Sequence, residues 1–198
     1  MVGIQKGFFR LPPQKDTPIL CIGPGTGIAP IRSLIEQRIH DGSSGIFFLL
    51  AAQVFLTISP ANVLYFGCRS AAKDQHYGLE WRQYAQSQNL TYRAAFSRDL
   101  PEGTKRVYVQ DLMQQDAEDI WKLIGPAGAW VYISGYAGVM YATHTTDDML
   151  RSSNKMPTAV KNAIKGAAEI FGGYTSEDAS KYVEKMIQEG RLIEECWS

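Results

Sequence analysis

Residues 21–30 read CIGPGTGIAP: a short apolar run stops at glycine, and glycine recurs at Gly23, Gly25 and Gly27 before a helical pattern begins. Glycines so placed let the chain turn tightly and bring backbone N–H groups up to a phosphate at a helix N-terminus, where the dipole favours an anion. The chemistry this points to is capture of a nucleotide pyrophosphate. The spacing is G-x-G-x-G, however, and lacks the third glycine of G-x-G-x-x-G because position 28 is Ile. By itself the turn also reads as a strand-to-helix connection with no ligand. Other chemistries are poorly served. Cys21, Cys68 and Cys196 are an odd, scattered set with no C-x-x-C pair, and His40, His76 and His144 lack metal-ligand spacing. Neither a disulfide framework nor a metal site is expected, and this cysteine usage fits a reducing, cytoplasmic setting.

The glycine turn needs a strand before it and a helix after it, and the pattern supplies both. Pro18–Ile22 reads as a buried parallel strand, and Ile28–Ile39 places Ile28, Ile31, Leu34, Ile35 and Ile39 on one helical face. Further strands are predicted at Asn62–Gly67, Leu90–Phe96, Ala129–Ser134 and Arg191–Cys196. Helices are predicted at Trp81–Gln88, Tyr108–Leu123, Pro157–Ile170 and Ser176–Glu189. This alternation is that of a βαβ architecture. At 198 residues, with 45% hydrophobic and 20% charged, the chain suits one well-buried domain. Lys+Arg 20 balances Asp+Glu 20, leaving no basic field for nucleic acid or an anionic membrane. Residues 1–16, rich in Pro, Lys and Gln, read as a linker, and residues 17–198 as the domain. Met1 to Pro13 lacks the apolar core of a secretory signal.

Longer strings are more specific than the glycines. GPGTGIAP resembles the NADP-binding loop of the ferredoxin–NADP reductase superfamily, in particular its NADPH-dependent diflavin oxidoreductase branch. Gly67-Cys68-Arg69 resembles that branch's G-C-R at the end of the second strand. Ala95-Phe96-Ser97-Arg98 followed by Arg106-Val107-Tyr108-Val109-Gln110 resembles its A-F-S-R…K-V-Y-V-Q element. Asn154-Lys155-Met156-Pro157 resembles a helix opening after the fourth strand, and Glu195-Cys196-Trp197-Ser198 its acidic-x-W-S terminus. The matches fall in order across residues 17–198. The closest resemblance is to the cytosolic members that supply electrons to iron–sulfur cluster assembly, with cytochrome P450 reductases a near second.

The resemblance implies a three-layer α/β NADP-binding domain of the ferredoxin-reductase C-terminal type, with a mostly parallel sheet. It implies hydride delivery from NADPH to FAD, then electrons through FMN to an acceptor protein, possibly an iron–sulfur protein. It places Gly23, Pro24, Gly25, Thr26 and Gly27 at the pyrophosphate and nicotinamide ribose, and Arg69 near the pyrophosphate. Ser97, Arg98, Arg106, Tyr108 and Gln110 fall around the 2′-phosphate, where an Arg fork and neutral hydroxyls suit a phosphate. The family has Lys where this chain has Arg106, and the Asp99–Thr104 loop is longer than usual. Trp197 takes the place of an aromatic stacked on the flavin, with Glu195 and Ser134 near the nicotinamide. The bland readings are Arg98 and Arg106 as solvated charges, Arg69 paired with Asp74 or Glu80, and Trp197 as an anchor of the last strand.

The FAD and FMN domains that precede this one in the family are not in the sequence, so the chain is also readable as an inactive nucleotide-binding module. Two blocks, 45–60 (GIFFLLAAQVFLTISP) and 136–151 (YAGVMYATHTTDDMLR), have no counterpart in the family pattern. Each is sixteen residues long, and removing both restores the family spacing. Permissive codons at their edges allow splice-like boundaries, so they read either as short retained introns or as loop insertions. The apolar part of the first block falls short of the roughly 20 residues that cross a bilayer, so no membrane span is expected.

Overall fold

Ile19–Pro24 (β1) opens with four apolar side chains that are all fully buried, as a strand covered on both faces requires. Asn62–Cys68 (β4), Thr91–Phe96 (β5), Trp130–Tyr136 (β6) and Leu192–Trp197 (β7) join it. A two-residue antiparallel ladder, Ile46–Phe47 (β2) against Ser59–Pro60 (β3), stands apart. The computed structural model of the chain describes residues 7, 9–43, 46–47, 59–60, 62–101, 103–136 and 156–197, with backbone alone at 46–47, 59–60, 136 and 197. The five longer strands form one sheet, parallel throughout, in the order β5-β4-β1-β6-β7. The fold is therefore the expected α/β type.

Successive side chains along each strand point to opposite faces, and each face has its own helices. Leu20, Ile22, Tyr65, Val131, Ile133 and Leu192 share a core with Val109–Gln115 (α4), Ala117–Ile124 (α5), Met156–Gly172 (α6) and Ser176–Gln188 (α7). Ile19, Cys21, Leu64, Phe66, Trp130 and Tyr132 share the other with Ile28–His40 (α1) and Gly78–Gln86 (α3). Three layers result. A four-residue helix, Ala71–Asp74 (α2), follows β4. Among the described residues no helix is long and apolar enough to cross a membrane.

The amino edge of the sheet is closed by polar groups. Arg38, 2% exposed, donates from Nε to Asn62 Oδ1 (2.7 Å) and from Nη2 to the Thr17 carbonyl (2.9 Å). Asn62 in turn donates to the Asn89 carbonyl (3.1 Å), so one buried network ties the starts of β1, β4 and β5. Residues 9 and 10, from the stretch read as a linker, pack on the domain. The Phe9 ring meets Tyr132 edge-on at 5.3 Å, the Tyr132 hydroxyl donates to the Arg10 carbonyl (2.6 Å), and the Arg10 guanidinium lies 5.5 Å from the Trp130 ring.

Two elements differ from the sequence reading. The helix expected over Tyr108–Leu123 is broken at Asp116 into α4 and α5, because the Asp116 carboxylate is bonded to β4 and β5. α3 begins at Gly78, three residues before the expected Trp81, after Tyr77 adopts a left-handed φ of 59°. Of the two unusual blocks, 45–60 is described only at its ends and 136–151 only at Tyr136; the rest lies outside the described residues. Ile46 pairs with Pro60, so the two ends of the first block are neighbours.

Candidate functional site

Strands to one side of β1 are reached first (β4, β5) and those to the other side afterwards (β6, β7). The crossover directions diverge between β1 and β6, and that is where an open parallel sheet leaves a ligand crevice at the carboxyl ends of its strands. The carboxyl edge is also where the candidate residues fall. It has two halves.

The first half lies between β1 and β6. After Pro24 the chain makes a 3-10 turn over Gly25–Gly27 and enters α1. Gly25 has φ 57°, in the left-handed region that favours glycine, and a Cβ there would meet nothing. Gly27 is different. A Cβ on Gly27 would collide with the carbonyl of Ser134 and lie 2.8 Å from Gly135 Cα. The turn therefore rests on the backbone of β6, and the third glycine serves contact between protein segments. No side chain caps the start of α1 and no carboxylate stands in its first turn, which leaves the positive end of the helix to an anion. Thr26 is exposed beside it, and Gly23 is buried with Ile31 Cγ1 3.2 Å from where a Cβ would sit.

Ser134, Gly135 and Tyr136 pair in register with Glu195, Cys196 and Trp197. The three sequence-predicted catalytic positions are thus brought to one end of two adjacent strands. Ser134 and Glu195 project on the α1 side of the sheet, the side of Trp130, Tyr132 and Ile193. Ser134 is fully buried and its Oγ has no hydrogen-bond partner among the described residues. Glu194, on the opposite face, is held by Lys161 at 2.7 Å. The Trp197 side chain lies outside the described atoms. Cys196 is exposed, and partial desolvation of its sulfur, with the Glu194 charge nearby, raises its pKa.

The second half lies at β4 and β5. Beyond the last strand pair, Cys68 with Phe96, the ladder continues from Ser97 N–H to the Cys68 carbonyl (3.0 Å) and from Arg98 N–H to the Arg69 carbonyl (2.8 Å). Ser97 and Arg98 are thereby held beside Cys68 and Arg69. Arg98 is exposed. Arg69 Nε lies 3.5 Å from Asp74 Oδ2, so the ion pair named as an alternative for Arg69 is present. Glu80, the other alternative, is engaged by Arg32 through Nε (2.9 Å) and Nη2 (3.0 Å). Arg106 and Tyr108 are half-buried on the approach to α4, and Gln110 lies in its first turn. The Tyr108 N–H donates to the Asp111 carboxylate (2.8 Å), which caps the helix. A Cβ on Gly67 would come within 2.9 Å of Val109 Cγ1, so α4 starts directly on the end of β4.

Two residues that shape this half were missed in the sequence. Asp111 stands three residues after Tyr108, a capping spacing that was readable. Asp99 accepts the Ala71 N–H (2.7 Å), which with a bond from Ser70 holds its carboxyl below the usual range. Nothing local announces that contact. Cys68 is pushed up to about 11, chiefly by burial, so it is a thiol near neutral pH and no nucleophile.

Residues 21–145 match the family model described as the oxidoreductase NAD-binding domain. The chain is 32% identical over 195 residues to NADPH-dependent diflavin oxidoreductase 1 of Danio rerio, covering 98% of this chain and 27% of that protein. It is 34% identical over 199 residues to NADPH–cytochrome P450 reductase of Musca domestica, covering 100% of this chain and 25% of that protein. The diflavin oxidoreductase 1 of Schizosaccharomyces pombe is 30% identical over 196 residues, covering 99% and 28%. The chain spans about a quarter of the length of the curated relatives it matches. A parallel sheet whose glycine turn is seated on β6 at the switch point, matched over 21–145, places the chain in the oxidoreductase NAD-binding domain family.

Proposed function

We propose that this chain is the NADPH-binding domain of a diflavin reductase, which presents the nicotinamide of NADPH to FAD on an adjoining domain. Electrons then pass through FMN to an acceptor protein. The observation that carries this reading is the single carboxyl edge with both halves of a dinucleotide site on it: an uncapped helix start seated on β6, and a hydroxyl- and arginine-bearing edge on β4 and β5. The nicotinamide and the flavin supply the hydride chemistry themselves. The chain's own residues bind, orient and exclude water.

Gly23, Pro24, Gly25, Thr26 and Gly27 form the pyrophosphate turn, with Arg69 at its rim. Arg98 and Arg106 supply charge for the 2′-phosphate, and Ser97, Tyr108 and Gln110 supply neutral hydrogen bonds. Ser134 offers a buried hydroxyl with no partner among the described residues, a fit for the polar edge of a nicotinamide. Glu195 stands next to it by register, and the Trp197 backbone ends β7 where an aromatic can cover the flavin. Residues 1–16 are read as the connection to the flavin-binding domain. The acceptor is read as a protein of cytosolic iron–sulfur cluster assembly, on the wording Ser153-Asn154-Lys155-Met156-Pro157. A P450-reductase-type enzyme is the alternative, supported by the similarity to the Musca domestica protein. Blocks 45–60 and 136–151 are read as retained introns.

The test is calorimetry of the 198-residue chain with two adenosine ligands. It binds 2′,5′-ADP more tightly than 5′-AMP by roughly 1–3 kcal/mol, the worth of charge-assisted hydrogen bonds to one phosphate. Equal affinities overturn the NADPH reading.

A further inference from the structure

The break between α4 and α5 has a chemical cause that the nucleotide site does not itself explain. Asp116 Oδ2 accepts from the Tyr65 hydroxyl (2.8 Å) and from Arg93 Nε (2.7 Å), while Oδ1 accepts from Arg93 Nη2 (3.0 Å). Tyr65 and Arg93 are register partners on β4 and β5, so one carboxylate grips both strands from above. Tyr65 is 3% exposed, and burial pushes its pKa up, so its hydroxyl remains a donor at every working pH. The Asp116 side chain is 23% exposed and that of Arg93 40%, a bidentate pair at the margin of the core.

The spacing then becomes informative. Cys68, at the carboxyl edge, is three residues beyond Tyr65, a rise of about 10 Å along a strand. α4 runs from Val109 to Gln115 and climbs about 10 Å, at 1.5 Å per residue, from Asp116 to the same edge. A helix this short has little stability of its own and sits where its two ends are held. Its upper end carries the Tyr108 cap and Val109 seated on Gly67, and its lower end carries Asp116.

We propose that Asp116, fixed by Arg93 and Tyr65, is the positioning residue that sets the height of α4 and so aligns Arg106, Tyr108 and Gln110 with Ser97 and Arg98 for a 2′-phosphate. The inference rests on reading that edge as the 2′-phosphate site. Asp116 touches no ligand. It determines selectivity for the phosphorylated nucleotide through the helix it anchors, while the pyrophosphate turn on β1 and β6 stands outside its reach.

The experiment measures the ratio of 5′-AMP to 2′,5′-ADP dissociation constants for the full 198-residue chain and its variants. If the unaltered chain has a ratio near one, the NADPH reading itself has failed. Given a preference in the unaltered chain, Asp116→Ala weakens 2′,5′-ADP roughly tenfold and 5′-AMP less than about twofold, because misplacement penalises the oriented contact alone. Asp116→Asn keeps one accepting oxygen for Tyr65 and Arg93 Nε, but it loses the charge and the acceptor for Arg93 Nη2, and lowers the ratio roughly threefold. Lys161→Gln breaks the Lys161–Glu194 pair, on the same face of the sheet but at its far edge on β7, and leaves the ratio unchanged. If Asp116→Ala does not fold, Asp116→Asn and Arg93→Gln decide by the same ratio. An unchanged ratio in folded variants, or equal weakening of both ligands, overturns the proposal.

Discussion

The two halves of the carboxyl edge are built by different means. Between β1 and β6 the site is made of backbone against backbone: Gly27 lies on the Ser134 carbonyl with no room for a methyl group. At β4 and β5 it is made of side chains on connecting segments, Arg98 exposed and Arg106 and Tyr108 half-buried, held in place by the ladder from Ser97 and Arg98. Steric seating fails all at once, since close-packed backbone has no slack to yield. Recognition by charged side chains fails by increments, each contact adding or removing a share of affinity.

The largest effect therefore belongs to Gly27→Ala. Driving a Cβ into the Ser134 carbonyl must part the turn from β6, at about 3 kcal/mol, and binding of both adenosine ligands and NADPH is lost with it. For a chain of this size the melting temperature falls by about 6–12 °C, measurable by thermal melting. Gly25→Ala is the companion. It strains only the left-handed φ, has open space around it, and costs about 1 kcal/mol. If Gly27→Ala melts and binds like the Gly25 variant, the steric account of this half is wrong.

At the other half, Arg98→Ala removes most of the preference for 2′,5′-ADP over 5′-AMP, roughly tenfold, with no change in melting temperature. The preference of the unaltered chain also shrinks as salt is raised, since Arg98 is exposed to screening ions. A preference that survives both treatments would place selectivity on other residues.

The smallest expected effects come from the two unusual blocks. Deleting 136–151, which begins with the last residue of β6, improves NADPH affinity. Deleting 45–60, whose last residues precede the amino end of β4, improves soluble yield and leaves affinity alone, because that join is at the opposite end of the strand from the carboxyl edge. The pairing of Ile46 with Pro60 makes that excision a short join. Transcripts from the source that uniformly keep both blocks reject the intron reading.

Much of the fold was legible because apolar runs and glycines are local signals. β1, α1, β5 and α7 lie within a residue or two of their sequence reading, since each is set by its own periodicity. The break at Asp116 was not legible, because its cause lies 51 residues away at Tyr65 and 23 away at Arg93. The glycine turn was found but its division of labour was not. A sequence shows three glycines alike, and only the structure separates Gly25, which needs its φ, from Gly27, which needs its bareness. The pairing of Ser134 with Glu195 likewise depends on the strand register across 61 residues, which no local pattern encodes.

Phe9 and Arg10 grip the strand that carries Ser134. Their contacts, Tyr132 and Trp130, lie two and four residues before Ser134 on the same strand and the same face. Side chains at these alternate positions stand in one row, so the arriving chain is packed against the strand face that ends at Ser134. β4 and β5 stand beyond β1 in the sheet. The contacts of residues 9 and 10 thus fall on the strand that seats the glycine turn, and the half of the edge built on β4 and β5 lies two strands away.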